Sequence, residues 1–341
     1  MRQLDLFGDY TPGPPAPPPA PEPEAPPPLP LPGVLPGQVG LFEPRSLLLG
    51  RARAAVAAAQ LDEACRAIDA LRERCPDDLA VAREASAMYA LRERLARIDA
   101  PHARERARAL LALARDLEGT PEPTASLARR LLVRVAAEVQ RRHGDAGELE
   151  GKLPGQYLLE AGDVEEAQAS LAAALAVRRE ARTLFLLADA TFLRHDVAAA
   201  RRLYLEALLL DPFDPALRAA RDEAVRSLPG VVRDELEIED EPEAWSAPAG
   251  ILQGVFPRPA RSIQGGAPPG LPEPPPGAAP FLAAEGLTPA RAEALGRARA
   301  FVEALVAAGA ARGDAVIAPR RAMKRLSPAL FALYMRGLSP R

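Results

Sequence analysis

The chain has little of what a sheet protein needs. Among 341 residues there are 9 Phe, 5 Tyr and 1 Trp. The hydrophobic share is 48%, but alanine supplies much of it, and alanine buries little area per residue. Sandwiches and doubly wound sheets need runs of Val, Ile, Phe and Tyr, alternating or continuous, so both are excluded. Glycine numbers 24 and follows no triplet period, which excludes a collagen-type helix. Lysine is confined to Lys152 and Lys324, and arginine supplies the other basic groups. With 43 basic and 46 acidic residues the net charge is −3. Bulk charge therefore does not make the whole chain a polyanion binder.

Cysteine is scarce as well. Cys65 and Cys75 stand ten positions apart on what reads as one helix and its exit, about 15 Å along a helix axis. That is too far for a disulfide, so two free thiols with structural roles are expected. No stretch of the length needed to span a bilayer is free of charges. The opening residues Met1-Arg2-Gln3-Leu4-Asp5-Leu6-Phe7 have no apolar core of a signal peptide. A soluble, cytoplasmic protein without membrane contact is expected.

No enzyme signature is found. The chain has no phosphate-binding Gly-x4-Gly-Lys-Ser/Thr loop, no Gly-x-Ser-x-Gly elbow and no His-Glu-x-x-His. His102, His143 and His195 are scattered, without metal-ligand spacing. No catalytic residue, cofactor or metal is expected.

What is abundant is alanine, arginine and proline. Proline accounts for 38 residues, about twice the usual share, and it is concentrated. Residues 11–38 hold 14 prolines in 28 positions. Such a stretch builds neither helix nor ladder and reads as a disordered, extended tether reaching about 87 Å at most. It leaves residues 1–10 as an exposed peptide. From 41 to 229 apolar residues recur at intervals of three and four, which is helical. Residues 234–243 carry seven acids in ten positions, and Trp245 follows. Residues 257–280 then hold nine prolines. The span 230–287 is therefore read as an acidic, then proline- and glycine-rich linker. Residues 288–341 read as a small helical unit whose starts are marked by Thr288-Pro289 and Ser327-Pro328. It carries ten basic residues and three acids. It is too small to be very stable alone, so docking on the core or on a partner is expected.

The helical region repeats itself. Ala167-Leu171-Ala174 is followed 33 residues later by Ala200-Tyr204-Ala207, and Ala64-Ile68-Leu71 has the same spacing. Leu184, Leu187, Ala188 and Pro212 complete the best-matching unit, 181–214, and Gly155 supplies the small residue of the unit before it. This pattern resembles the tetratricopeptide repeat, a helix–turn–helix unit of 34 residues. The match is fair over 148–180 and 45–78 and poor over 79–147, where irregular or longer helices are expected. The resemblance implies an all-α helical solenoid and no particular activity.

Gln3-Leu4-Asp5-Leu6-Phe7 is similar to the pentapeptide by which bacterial replication and repair proteins bind the DNA polymerase sliding clamp. The resemblance implies that Leu6 and Phe7 fill an apolar pocket, Leu4 packs beside them and Gln3 fixes the register. Full burial of the three apolar side chains is worth about 5–8 kcal/mol before ordering costs, which corresponds to micromolar binding. Capping of the core by this peptide, or a chance match, is the competing reading. A second cluster, Arg320-Arg321-Ala322-Met323-Lys324-Arg325, reads as a phosphate contact, as a solvated helix face, or as an internal partner of the acidic run. The expected function is that of a non-enzymatic protein–protein interaction scaffold associated with replication or repair. Its rival is a structural repeat subunit of another complex, with no clamp or DNA role.

Overall fold

The computed structural model describes residues 43–98, 102–118, 120, 123–142, 144–259 and 287–338. The clamp-like peptide Gln3–Phe7, the tether 11–38 and residues 260–286 lie outside the described residues. The described residues are all-helical: they form no strand, and a single antiparallel bridge joins Leu149 to Lys152. The chain divides into two compact units, residues 1–140 and 141–341. The expected helical-repeat region 41–229 spans parts of both units.

In the first unit, α1 (Glu43–Ala57) and α2 (Leu61–Arg74) form a hairpin, and α3 (Leu79–Ala96) packs on α2. Asp78 caps α3 by accepting from the N–H groups of Ala80 and Val81 at 2.9 and 3.2 Å. Those bonds, chiefly the one from Val81, hold its carboxyl below the usual range. A buried pair joins α1 to α3, with Arg53 2.9 Å from Glu84. Tyr89 on α3 donates to Asp69 on α2, and this bond pushes the Tyr89 hydroxyl up to about 12. Cys65 is buried, which raises its thiol; both cysteines are free. Next come α4 (Ala103–Asp116) and α5 (Pro123–Arg141). At 18 and 19 residues, α3 and α5 are the longest helices of this unit. Pro123 sits at the first position of α5, where a missing N–H is tolerated.

In the second unit two further hairpins follow directly. The first is α6 (Pro154–Ala161) with α7 (Val164–Val177), and the second is α8 (Ala181–Leu193) with α9 (Val197–Leu210). The nine residues of the three repeated triplets are all at most 2% exposed. Gly155 is needed because α6 rests directly on α7. A Cβ placed there would stand 2.5 Å from Leu171 Cγ.

The three hairpins turn in the same way. In each, one residue adopts left-handed backbone: Ala59 (φ 63), Gly162 (φ 89) and His195 (φ 65). Its N–H donates three residues back, to Val56, Leu159 and Phe192. The next N–H donates five residues back, from Gln60 to Ala55, Asp163 to Leu158 and Asp196 to Thr191. This double bond satisfies the last carbonyls of the first helix and reverses the chain. Each second helix then ends three residues beyond the third triplet residue, whose carbonyl accepts from Cys75, Arg178 or Asp211.

Beyond α9 the chain folds back over the last hairpin through a short 3-10 turn (Pro215–Ala219), α10 (Glu223–Arg226) and α11 (Leu228–Asp234). Asp222 pairs with Arg201 at 2.8 Å. The buried Asp189 accepts from Tyr204 and from the N–H of Arg221. Burial raises its carboxyl above the usual range.

The expected linker is corrected over 230–259. A 3-10 turn (Pro242–Trp245) and α12 (Ser246–Gln253) lie there, with Leu236, Trp245, Ile251 and Phe256 buried in one apolar core with the last hairpin. The final helices are α13 (Pro289–Ala310), α14 (Ile317–Leu326) and α15 (Pro328–Leu338). They join the same core through Phe301, Val302, Met323, Leu330 and Tyr334. The C-terminal helices thus dock on the rest of the second unit. The starts of α13 and α15 carry side-chain caps: Thr288 accepts from Arg291 and Ser327 from Leu330, both at 3.3 Å.

Candidate functional site

The buried ionisable groups hold elements together and do not converge on a cleft. Tyr204–Asp189 links α9 to α8, Arg201–Asp222 links α9 to the segment after it, and Arg179–Glu206 joins the entry of α8 to α9. Burial raises the Glu206 carboxyl, and Arg179 opposes that rise. Among the described residues no group of His, Cys, Asp and Glu is placed to hold a metal ion. His102 precedes α4, and His195 occupies the turn between α8 and α9. In the first unit a small cleft of about 130 Å³ lies between α3, α4 and α5, with Leu91, Leu113 and Leu117 in its walls. No helix is long and apolar enough to cross a membrane among the described residues.

The arginines of the C-terminal helices separate into two groups. On α13, Arg299 reaches α9 and donates to the carbonyls of Leu209 and Leu210 at 2.7 and 3.0 Å. These carbonyls belong to the last turn of α9, where no intrahelical partner exists. The guanidinium thus closes that helix and meets the negative end of its dipole. Burial pushes Arg299 down from its ordinary value, and Asp211 opposes the shift. Arg297 does the same for α14, donating to the Leu326 carbonyl at 2.7 Å while lying 5.5 Å from the centre of the buried Trp245 ring. Arg291 pairs with Glu241 at 3.2 Å and lies 4.8 Å from the Phe213 ring centre.

The second group faces outward. On α14, Arg321, Lys324 and Arg325 are exposed. Their spacing of three and four places them on one face of the helix with Ile317. The fourth residue of that cluster, Arg320, is half-buried and lies 5.8 Å from the centre of the Tyr334 ring. Arg312, before α14, and Arg336, on α15, are exposed too. None of Arg312, Arg321, Lys324, Arg325 and Arg336 makes an ion pair among the described residues. The reading of this cluster as the partner of the acidic run is corrected, because Glu241 pairs with Arg291 and Glu243 with Arg218.

The sequence reading singled out four residues of the α14 cluster and missed the split within the unit. Arg291, Arg297 and Arg299 look like part of the same basic patch, and no local signal marks them as docking residues. Trp245 is the one hint, since a lone tryptophan beside an acidic run asks for a burial partner. No family model, curated protein or solved structure matches the chain.

Proposed function

We propose that this protein is a non-enzymatic interaction scaffold. Its helical hairpins form a tetratricopeptide-like core that receives a protein partner, and residues 1–10 form a tethered peptide for the bacterial DNA polymerase sliding clamp. The observation that carries the scaffold reading is the shared turn of the three hairpins, with its left-handed residue and its paired bonds three and five residues back. One unit of structure is used three times, with a buried triplet at the same spacing in each second helix. Such units present side chains at regular intervals, and binding surfaces in repeat proteins are made that way. The buried ionisable groups support a binding role over catalysis, because they stitch neighbouring helices together.

The clamp part of the reading rests on Gln3-Leu4-Asp5-Leu6-Phe7 and the proline-rich stretch behind it. A peptide on a long tether searches a large volume, and a second weak contact on the same chain raises its effective concentration. The test is titration of a labelled peptide of residues 1–12 with purified bacterial sliding clamp. Micromolar binding is expected, and it should vanish in the Leu6→Ala/Phe7→Ala peptide. No binding at about several hundred micromolar clamp, beyond the weak end of what burial of three apolar side chains predicts, would remove the clamp role. The hairpin core would then stand as a structural subunit of some other complex.

A further inference from the structure

The outward face of α14 carries one sign of charge and has no ion-pair partner among the described residues. Residues 312–338 hold six basic groups and a single acid, Asp314, in a chain whose net charge is −3. Elsewhere ion pairs are plentiful along the chain, from Arg45–Asp78 near the start of the described residues to Arg291–Glu241 on α13. Here Arg321, Lys324 and Arg325 stand exposed on one helical face, Arg312 and Arg336 are exposed before and after them, and none of the five has an ion pair among the described residues. We propose that this face binds the phosphate backbone of duplex DNA without reading its sequence.

The chemistry of the face narrows the choice of ligand. Arg321 and Arg325 are separated by about 6 Å of helix rise, so both cations can meet neighbouring phosphates of one backbone. A single-strand platform would need exposed aromatic rings. The two rings of α15 are withdrawn, since Tyr334 is 6% exposed and Phe331 is half-buried against it. A lipid surface would need a broad apolar face below the basic one. Ile317 on α14 and Met335 and Leu338 on α15 are exposed by 44, 39 and 41%, single side chains on two helices and not one broad apolar face. A protein partner would dock chiefly on aromatic or aliphatic anchors, and here the exposed basic groups outnumber the one aliphatic residue of the face, Ile317. What remains is a row of cations suited to a regular row of anions. The choice of DNA over RNA as the duplex rests on the clamp reading above; the phosphate contact itself does not.

The experiment is fluorescence anisotropy of a short labelled DNA duplex of arbitrary sequence, titrated with the full chain and no clamp present. Three phosphate contacts give a slope of about −2.7 in log affinity against log salt, so Kd should rise about 40-fold between 50 and 200 mM salt. The Arg321→Ala/Lys324→Ala/Arg325→Ala chain should bind at least about tenfold more weakly at the low-salt end and lose most of the slope. Its thermal melt should be unchanged, because the three side chains are exposed and unpaired. Arg83→Ala, an exposed arginine of the first unit, serves as the control and should bind like the parent chain. Failure of the full chain to bind duplex at low salt would overturn the proposal. So would equal binding by the triple variant, or tighter binding to single strands, to duplex RNA or to phosphatidylserine vesicles. The peptide titration is a separate measurement. A clamp peptide that fails while the duplex binds would leave the DNA contact standing and remove only its link to the clamp.

Discussion

On α13, the guanidiniums of Arg297 and Arg299 close the C-terminal ends of α14 and α9. On α14, one connection later, Arg321, Lys324 and Arg325 are exposed, with no ion pair among the described residues. Both helices carry several basic groups and put them to opposite uses. The difference lies in what each helix is laid against. A guanidinium offers five donors in a planar fork, and a helix end offers carbonyls that lack partners. Where the fold brings the two together, arginine becomes part of the architecture. Where it does not, the charge stays available to something outside the chain.

Substitution tests this contrast directly, and the largest effect belongs to Arg299. Arg299→Ala removes two charge-assisted bonds and leaves two helix-end carbonyls without their donor, so a loss of about 2–3 kcal/mol is expected. Chemical denaturation would read it as a lower midpoint at constant slope. A parent-like midpoint would mean that the guanidinium decorates the interface and does not hold it. Arg297→Ala should cost about 1 kcal/mol, from one carbonyl bond and the contact with the indole. A loss as large as that of Arg299→Ala would show that the C-terminal end of α14 matters as much as that of α9. Arg321→Ala should change stability by no more than about 0.5 kcal/mol, as for an exposed side chain without partners. A larger loss would place α14's outer face within the architecture and erase the distinction between the two helices.

The hairpins were legible because their determinants are local. Spacing of four and three marks one helix face, and Ala167-Leu171-Ala174 with Ala200-Tyr204-Ala207 sets the repeat. Helix starts at Thr288-Pro289 and Ser327-Pro328 were legible for the same reason. The segment around Trp245 was not. Seven acids in ten positions suggest a solvated strip, yet Leu236 and Trp245 are buried and Glu241 meets an arginine fifty residues downstream. Burial of that kind depends on where a distant helix docks, and composition carries no record of it. The candidate site shows the same limit. Its basic residues could be counted in the sequence, but the separation of Arg299 from Arg325 depends on carbonyls about ninety residues back along the chain. The boundary at 140 and 141 was equally hidden, since helical periodicity runs through it without a break.

Trp245 gives the molecule an optical gauge of its own assembly. It is the single tryptophan of the chain, it is 4% exposed, and the Arg297 side chain lies over its ring. Every photon of indole emission therefore comes from the place where the C-terminal helices meet the core. Detachment of those helices would move the emission to the red while most of the helical ellipticity persisted. Loss of the first unit alone would leave the spectrum where it was. An unmodified sample thus reports which part of the protein has come apart, without a label and without a second dye.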